Sequence, residues 1–322
     1  MIRTAATTED ALGESPLWHP AERALYWLDV ARPRLHRLAP DGGVATLALA
    51  AAAPLGSIVA ADRPGTLVLA GLGGLSLLDA ETGRLAPFAD PEEGRDGVGF
   101  NDGKVDRWGR LWIGTHDLKE EAPRGVLWCL APGARPVLAD AGFAVSNGPA
   151  FSPDGATLYF SDSVGRRILA YDLRADDPRP TGRRVFATMA IDEGYPDGLT
   201  VDADGCLWVA HWDGWRLTRF APDGERLAVV PMPVPRPTSV AFGGEGLATL
   251  HVTSARLDLG AATLAAAPNS GCLFAFEPGV RGLPERPFAL PADAGPAGER
   301  SGPAGERAGA PGEDESGALA AG

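Results

Sequence analysis

Gly109-Arg110-Leu111-Trp112 and Gly205-Cys206-Leu207-Trp208 are two copies of one local pattern, in which a turn rich in Pro, Asp and Gly leads into a leucine and an aromatic residue. The pattern recurs along the chain, and its last copy is the weakest. The leucines that mark the six copies are Leu25, Leu67, Leu111, Leu158, Leu207 and Leu247. They are spaced 42, 44, 47, 49 and 40 residues apart, which is the period of four-stranded propeller blades.

A second pattern follows each copy of the first and consists of an apolar strand that ends in a turn. Its six copies begin at Leu35, Leu75, Leu127, Ile168, Leu217 and Leu273. One Asp-Gly turn would be weak evidence for a hairpin, whereas two patterns in strict sixfold alternation are strong evidence. The sequence therefore predicts an all-β fold, a six-bladed β-propeller with four-stranded blades.

The repeats predict a single propeller domain over residues 1–291. The remaining segment, 292–322, contains Gly-Pro-Ala-Gly-Glu-Arg twice, at 295–300 and 302–307, and has no aromatic residue. Such a segment buries too little apolar surface to offset the entropy lost on ordering. We therefore expect 292–322 to be a disordered low-complexity tail.

Composition narrows the classes of partner. The 322 residues carry a formal net charge of −13. A negatively charged protein repels the phosphate backbones of nucleic acids, so we do not expect nucleic-acid binding. The N-terminus lacks a basic stretch followed by an apolar one, and no apolar run is long enough to span a bilayer, so we expect a cytoplasmic protein without membrane contact. Cys129, Cys206 and Cys272 form no CxxC pair and are expected to be small buried residues in a reducing compartment.

A polar residue stands ten or eleven positions before each of the first five marking leucines, and Thr238 occupies about the same place in the sixth copy. Because equivalent positions of a propeller surround its axis, these residues are expected to form a ring. Taken singly, Asn and Asp before Gly are commonly turn residues, but Glu is a poor turn former. Two carboxylates and two carboxamides would supply the hard oxygen ligands that Ca²⁺, Mg²⁺ or Mn²⁺ prefer. The five residues before Thr238 are Glu14, Ser57, Asn101, Asn147 and Asp197.

Four segments that contain these positions carry a family resemblance. They are Gly13-Glu14-Ser15-Pro16-Leu17-Trp18, Phe100-Asn101-Asp102-Gly103-Lys104-Val105-Asp106, Ser146-Asn147-Gly148 and Tyr195-Pro196-Asp197-Gly198-Leu199. In this order and spacing, over residues 10–290, the chain resembles the SMP-30/gluconolactonase/regucalcin-like family of six-bladed, metal-dependent sugar lactonases.

The resemblance implies roles for particular residues. Glu14, Asn147 and Asp197 would hold one divalent ion (Ca, Mg, Mn or Zn), and Asp197 would also be the catalytic acid and base. Asn101 would contact the substrate. Two positions depart from the family: Gly99 stands where many members carry an arginine that binds substrate, and Lys119 stands where they carry a glutamate. Both changes alter how a sugar is held, although Lys119 could instead be solvent-exposed, as lysines usually are.

Other site chemistries have less support. His116, His211 and His251 lie near the ends of repeat strands, so a zinc site is conceivable, but they lack metal-type local spacing. No G-x-S-x-G elbow, P-loop or dinucleotide fingerprint is present.

The function predicted from the sequence is hydrolysis of a sugar lactone to the aldonic acid, with the small-molecule lactone as the partner and no obligate protein partner. The alternatives are a non-catalytic calcium-binding regulatory propeller and an interaction scaffold, since fold alone does not determine function. The acidic, amide-rich ring speaks against the scaffold, and turnover separates the other two.

Overall fold

The computed structural model describes residues 1–291, 294 and 295. Within these residues, 24 strands form six antiparallel sheets of four strands each. Each sheet is one blade, and the first strand of every blade is the innermost, so the predicted six-bladed β-propeller is confirmed. In the described part of the chain, no helix is both long and apolar enough to cross a membrane.

The first three blades follow one another without interruption. Blade 1 comprises β2 (Gly13–His19), β3 (Ala24–Asp29), β4 (Arg34–Leu38) and β5 (Val44–Ala48). Blade 2 comprises β6 (Leu55–Ala60), β7 (Thr66–Gly71), β8 (Gly74–Asp79) and β9 (Leu85–Ala89). Blade 3 comprises β10 (Val98–Val105), β11 (Leu111–Asp117), β12 (Gly125–Leu130) and β13 (Val137–Phe143).

The second half repeats this arrangement and closes the circle with the N-terminal strand. Blade 4 comprises β14 (Ser146–Phe151), β15 (Thr157–Asp162), β16 (Arg167–Asp172) and β17 (Thr181–Thr188). Blade 5 comprises β18 (Tyr195–Val201), β19 (Leu207–Trp212), β20 (Arg216–Phe220) and β21 (Arg226–Pro231). Blade 6 comprises β22 (Pro237–Gly243), β23 (Thr249–Ser254), β24 (Leu273–Phe276) and, as its outer strand, β1 (Arg3–Ala6). The one α-helix of the described residues, α1 (Ala261–Ala266), lies between β23 and β24.

The turn before the second strand of a blade accounts for the repeated pattern of Gly, Leu and an aromatic residue in the sequence. Asp106 accepts hydrogen bonds from the backbone N–H groups of Trp108 and Arg110, at 2.9 and 3.0 Å, and also from the indole N–H of Trp112, at 2.8 Å. Gly109 has φ 84°, a conformation that favours glycine. One carboxylate therefore fixes both the turn and the aromatic residue that follows it.

The sixth marking leucine was assigned wrongly from the sequence. Glu245–Leu247 form a 3-10 turn, and Leu250 pairs with Phe242 as Leu207 pairs with Val201 in blade 5. Leu250 therefore takes the place predicted for Leu247, and it follows Leu207 by 43 residues. The misassignment arose because the turn itself contains a Gly-Leu pair.

The core consists of six apolar clusters, each shared by two neighbouring blades. Burial of apolar area between blades is the main contribution to the stability of such a fold. The three cysteines are buried, as predicted, and none of them forms a disulfide.

Residues 277–291, the C-terminal strap, cross the end of the propeller where the innermost strands finish. We call this end the far end and the opposite one, where those strands begin, the ring end. The strap contacts four blades. Gly282 donates to the carbonyl of Leu247 in blade 6 and bridges to Asp202 after β18, Glu285 pairs with Lys104, and Phe288 pairs beside β6. Of the segment predicted to be a disordered tail, all but Ala294 and Gly295 lies outside the described residues.

Candidate functional site

Every innermost strand has a register irregularity near the ring end, and the polar positions predicted from the sequence lie at these places. The irregularities fall at Glu14/Leu17, Leu55/Ile58, Phe100/Gly103, Asn147/Ala150, Pro196/Leu199 and Pro237/Val240. A β-bulge bends its strand and changes the direction of the side chains beside it. Six bulges at one level therefore present one polar residue from each blade near the axis.

Hydrogen bonds join the ring across blades 3, 4 and 5. The Asn101 Nδ2 group donates to Asn147 Oδ1 at 2.7 Å, and Asn147 Nδ2 donates to Ser163 Oγ at 3.0 Å. The Ser163 hydroxyl in turn donates to the carbonyl of Pro196 at 2.6 Å, next to Asp197. The Asn147 oxygen accepts one hydrogen bond, from Asn101, so its second lone pair stays available for a further ligand.

Two other ring positions serve the structure. The Ser57 hydroxyl donates to the carbonyl of Asn101 at 2.8 Å, and the Thr238 hydroxyl donates to the carbonyl of Gly13 and contacts Thr253. These hydroxyls tie neighbouring innermost strands together, so they hold Asn101 and Glu14 at the ring.

Three carboxylates share the buried interior of the ring. Glu14, Asp102 and Asp197 are 8%, 7% and 5% exposed. Burial raises the pKa of Glu14 well above its ordinary range, and the charges of Asp197 and Asp102 raise it further. Burial, together with the charges of Asp102 and Glu120, likewise raises the pKa of Asp197. These groups therefore lie close enough to repel one another.

Asp102, which the sequence offers as the alternative base because it neighbours Asn101, is also buried at the ring. Burial raises its pKa to about 6, while the backbone N–H of Gly148 and the charge of Lys104 oppose the rise. That N–H donates to Asp102 Oδ2 at 3.0 Å, so Asp102 also fixes the residue after Asn147. The signal was present in the sequence as the residue that follows Asn101.

The donor set fits a divalent cation. No group of three or more His, Cys, Asp or Glu side chains in the described part of the chain is arranged to hold a metal by itself, whereas the ring also offers the amide oxygen of Asn147. Buried carboxylates with raised pKa values are stabilised as anions by a nearby positive charge. Hard oxygen donors of this kind match Ca²⁺, Mg²⁺ or Mn²⁺ better than softer ions.

Lys119, the predicted substrate contact, lies in the turn between β11 and β12. Lys119 and Glu120 are both exposed, and the charge of Glu120 contributes to the raised pKa of Asp197. Asp117 fixes this turn by accepting hydrogen bonds from the backbone N–H groups of Glu121 and Ala122, both at 3.1 Å. The role of Lys119 as a substrate contact is still a prediction, and Glu120 beside it adopts φ 58°.

Gly99 lies on β10, two residues before Asn101, and pairs with His116. A Cβ placed on Gly99 would lie 2.9 Å from Leu118 Cδ2, 3.3 Å from His116 Cε1 and 3.5 Å from Leu72 Cδ2. The space that a side chain at position 99 would enter is therefore already occupied by these neighbours.

The three histidines considered from the sequence lie on separate blades. Burial lowers the pKa of His116, and it lowers the pKa values of His211 and His251 to about 4. All three are therefore neutral at neutral pH. The His211 Nδ1 atom contacts the carbonyl of Glu193 at 2.9 Å, and the His251 ring stacks against Trp18.

A narrow cavity of about 30 Å³ lies along the axis between the ring and the C-terminal strap. Its lining includes Ser15, Asp102, Lys104, Ser239 and Glu285. It has space for about one water molecule, so a sugar-sized molecule does not fit in this cavity.

Comparison with known proteins gives consistent results for the whole propeller. The family model described as the SMP-30/Gluconolactonase/LRE-like region matches residues 12–256. The chain is 41% identical to a 6-deoxy-6-sulfogluconolactonase of Pseudomonas putida, over 89% of this chain and 98% of that protein. It is 34% identical to an L-arabinolactonase of Azospirillum brasilense, over 88% and 94% of the two chains.

Solved structures are similar as well. A calcium-binding protein, regucalcin, from Agrobacterium tumefaciens superposes with a TM-score of 0.83 at 31% identity, covering 90% of this chain and 98% of that one. A gluconolactonase from Xanthomonas campestris superposes with a TM-score of 0.70 at 26% identity, covering 86% and 89%.

Proposed function

Since the chain belongs to the SMP-30/gluconolactonase/LRE-like family, we propose that it hydrolyses a sugar lactone to the aldonic acid at the ring, with one divalent cation. Glu14, Asn147 and Asp197 hold that cation in this proposal. The observation that carries it is the group of buried, mutually repelling carboxylates beside an oriented amide oxygen. The relatives named as lactonases supply the class of substrate.

Asp197 carries the proton in the proposed reaction. As a carboxylate it accepts a proton from water while the water oxygen bonds to the lactone carbonyl carbon. The ring C–O bond then breaks, and Asp197 returns the proton to the departing alkoxide, which leaves a hydroxy acid. The chemistry that a bound cation supplies is polarisation of the carbonyl and stabilisation of the negative charge that develops on its oxygen.

Other residues of the chain orient the substrate and the ring. Asn101, on the inner face of blade 3, contacts the sugar in this proposal and also orients Asn147 through its 2.7 Å hydrogen bond. Lys119 stays the proposed second substrate contact, and the exposed Glu120 beside it is another candidate because its charge contributes to the raised pKa of Asp197. Burial of the ring excludes bulk water and strengthens each of these interactions.

A second candidate is a non-catalytic calcium-binding regulatory propeller. The similarity to a regucalcin described as a calcium-binding protein favours it. Both candidates use the same ring, so cation binding alone does not separate them.

Turnover is the decisive measurement. Purified protein is assayed on a panel of pentono- and hexonolactones after treatment with a chelator and after addition of Ca²⁺, Mg²⁺, Mn²⁺ or Zn²⁺. We expect hydrolysis that disappears with the chelator and returns with at least one cation, and glucono-1,5-lactone to be a poor member of the panel. Cation binding without hydrolysis of any lactone would support the regulatory propeller instead.

A further inference from the structure

Two serine hydroxyls of blade 4 hold the strand of blade 5 that carries Asp197. Ser161 lies on β15 and Ser163 directly after it, so both side chains point to the same side of the extended chain. The Ser161 hydroxyl donates to the carbonyl of Asp197 at 2.9 Å. The Ser163 hydroxyl donates to the carbonyl of Pro196 at 2.6 Å. Both serines are buried, and both therefore join blade 4 to the same short segment of blade 5.

Ser163 has a further contact, to the side chain of Asn147. Its oxygen accepts a hydrogen bond from Asn147 Nδ2 at 3.0 Å. A hydroxyl group has a single proton, and that of Ser163 is donated to the Pro196 carbonyl, so the oxygen can only accept from Asn147. The amide nitrogen of Asn147, and not its oxygen, must therefore face Ser163.

The other side of the Asn147 amide is set from blade 3. Asn101 Nδ2 donates to the carbonyl of Ser146 at 2.6 Å and to Asn147 Oδ1 at 2.7 Å. If the Asn147 amide turned over, its nitrogen would face the nitrogen of Asn101. Its oxygen would then compete with the Pro196 carbonyl for the Ser163 proton, and one acceptor would lose its hydrogen bond. The network therefore leaves the amide oxygen, rather than the nitrogen, with a lone pair for a cation.

From this network we infer that Ser163 is a positioning residue of the cation site, which fixes the Asn147 amide so that its oxygen stays available to the cation. The inference rests on the proposed function, in which Asn147 is one of the ligands. An amide has one oxygen, so a turned amide presents N–H groups to a cation and cannot bind it. Loss of a residue that orients a metal ligand typically weakens metal binding by about 10–100-fold.

Ser163→Ala and Ser161→Ala are a matched pair of variants. Each removes one buried hydroxyl and one hydrogen bond to a carbonyl of blade 5, so both should lower the melting temperature. Only Ser163→Ala releases the Asn147 amide. We expect the Kd for the cation to rise by about 10–100-fold in Ser163→Ala and to stay near the parent value in Ser161→Ala. Calorimetric titration of the metal-free proteins with Ca²⁺, Mg²⁺, Mn²⁺ and Zn²⁺ measures Kd without any substrate.

A substitution at Asn147 tests how Ser163 acts. Asn147→Asp carries an oxygen at both positions, so no amide remains to be oriented. Adding Ser163→Ala to this variant should weaken cation binding clearly less than adding it to the parent, and a double-mutant cycle measures the difference. A purely structural role of Ser163 would give the same loss of affinity in both backgrounds.

The outcomes for Ser163 and for the proposed function are distinguishable. An unchanged Kd in Ser163→Ala, an equal loss in Ser161→Ala, or an equal loss in the Asn147→Asp background overturns the inference, while lactone hydrolysis by the parent still supports the proposed function. A parent that binds a cation but hydrolyses no lactone of the panel overturns the lactonase proposal and leaves the role of Ser163 to be decided by the Kd values. A parent that binds none of the four cations overturns both.

Discussion

Asp197 has two roles in the proposed site, as a cation ligand and as the proton carrier, and one substitution separates them. Asp197→Asn keeps an oxygen for the cation but cannot accept the proton. At saturating cation we expect the variant to bind lactone while kcat falls by roughly 10²–10⁴, the range of a lost general acid or base. Steady-state kinetics against rising cation concentration measure this effect.

Asp102 is the residue to examine if that expectation fails. If saturating cation restores the kcat of Asp197→Asn to near the parent value, Asp197 acts only as a cation ligand and not as the base. Asp102 is then the next candidate base, because it is buried at the ring and its pKa is raised to about 6. Asp102→Asn keeps an oxygen that can accept the Gly148 N–H, so it removes the charge while preserving that contact.

Among the elements, the C-terminal strap contributes stability at the end away from the ring. Phe288 is 2% exposed and packs edge-to-face on Phe88, with ring centroids 5.9 Å apart. Phe288→Ala should lower the free energy of unfolding by roughly 3–5 kcal/mol, as for other buried aromatic residues. Because Phe288 packs beside β6 at the end opposite the ring, kcat/KM should stay near the parent value below the melting transition. Denaturant unfolding and lactonase assays provide the two measurements.

Leu290→Ala is the matched control for the strap. Leu290 packs at the margin of the same apolar cluster and is only partly buried, so its loss should cost clearly less. A drop in kcat/KM for Phe288→Ala in the folded protein would mean that the strap shapes the ring, contrary to this expectation.

At the scale of the whole molecule, the charge of the ring links stability to pH and to cations. The raised pKa values of Glu14, Asp102 and Asp197 mean that the folded state favours their protonated forms. Without a cation, their contribution to stability is full below the ordinary carboxyl pKa of about 4 and is lost as the pH rises through the raised values, about 6 for Asp102. A cation reverses this trend, because it binds the ionised carboxylates.

We therefore expect a divalent cation to raise the melting temperature more at pH 8 than at pH 5. Thermal unfolding with cation and with chelator, at both pH values, measures the difference. Glu14→Gln, which removes one of the buried charges, should bind the cation more weakly and show a smaller shift. Equal shifts at the two pH values, or a full shift in Glu14→Gln, would speak against a cation bound by these carboxylates.

The repeats and the polar ring were readable from the sequence because both depend on local chemistry. Each blade contains the same three features: a turn with Asp and Gly, an apolar strand, and a polar residue at the bulge. Their spacing is therefore similar from one blade to the next along the chain. The positions of Glu14, Asn101, Asn147 and Asp197 could be predicted in this way, since the fold places equivalent residues around one axis. Their roles as ligands and as proton carrier are still predictions.

Contacts between distant segments were decided only by the tertiary structure. Pairing of β1 with β24 joins the two ends of the propeller, and the C-terminal strap reaches blades 6, 5, 3 and 2. The neighbours of Gly99 come from blades 2 and 3, namely Leu72, Leu118 and His116. Sequence spacing records neither the conformation of a loop nor which side chains from different blades fill the same space, because both are set by packing.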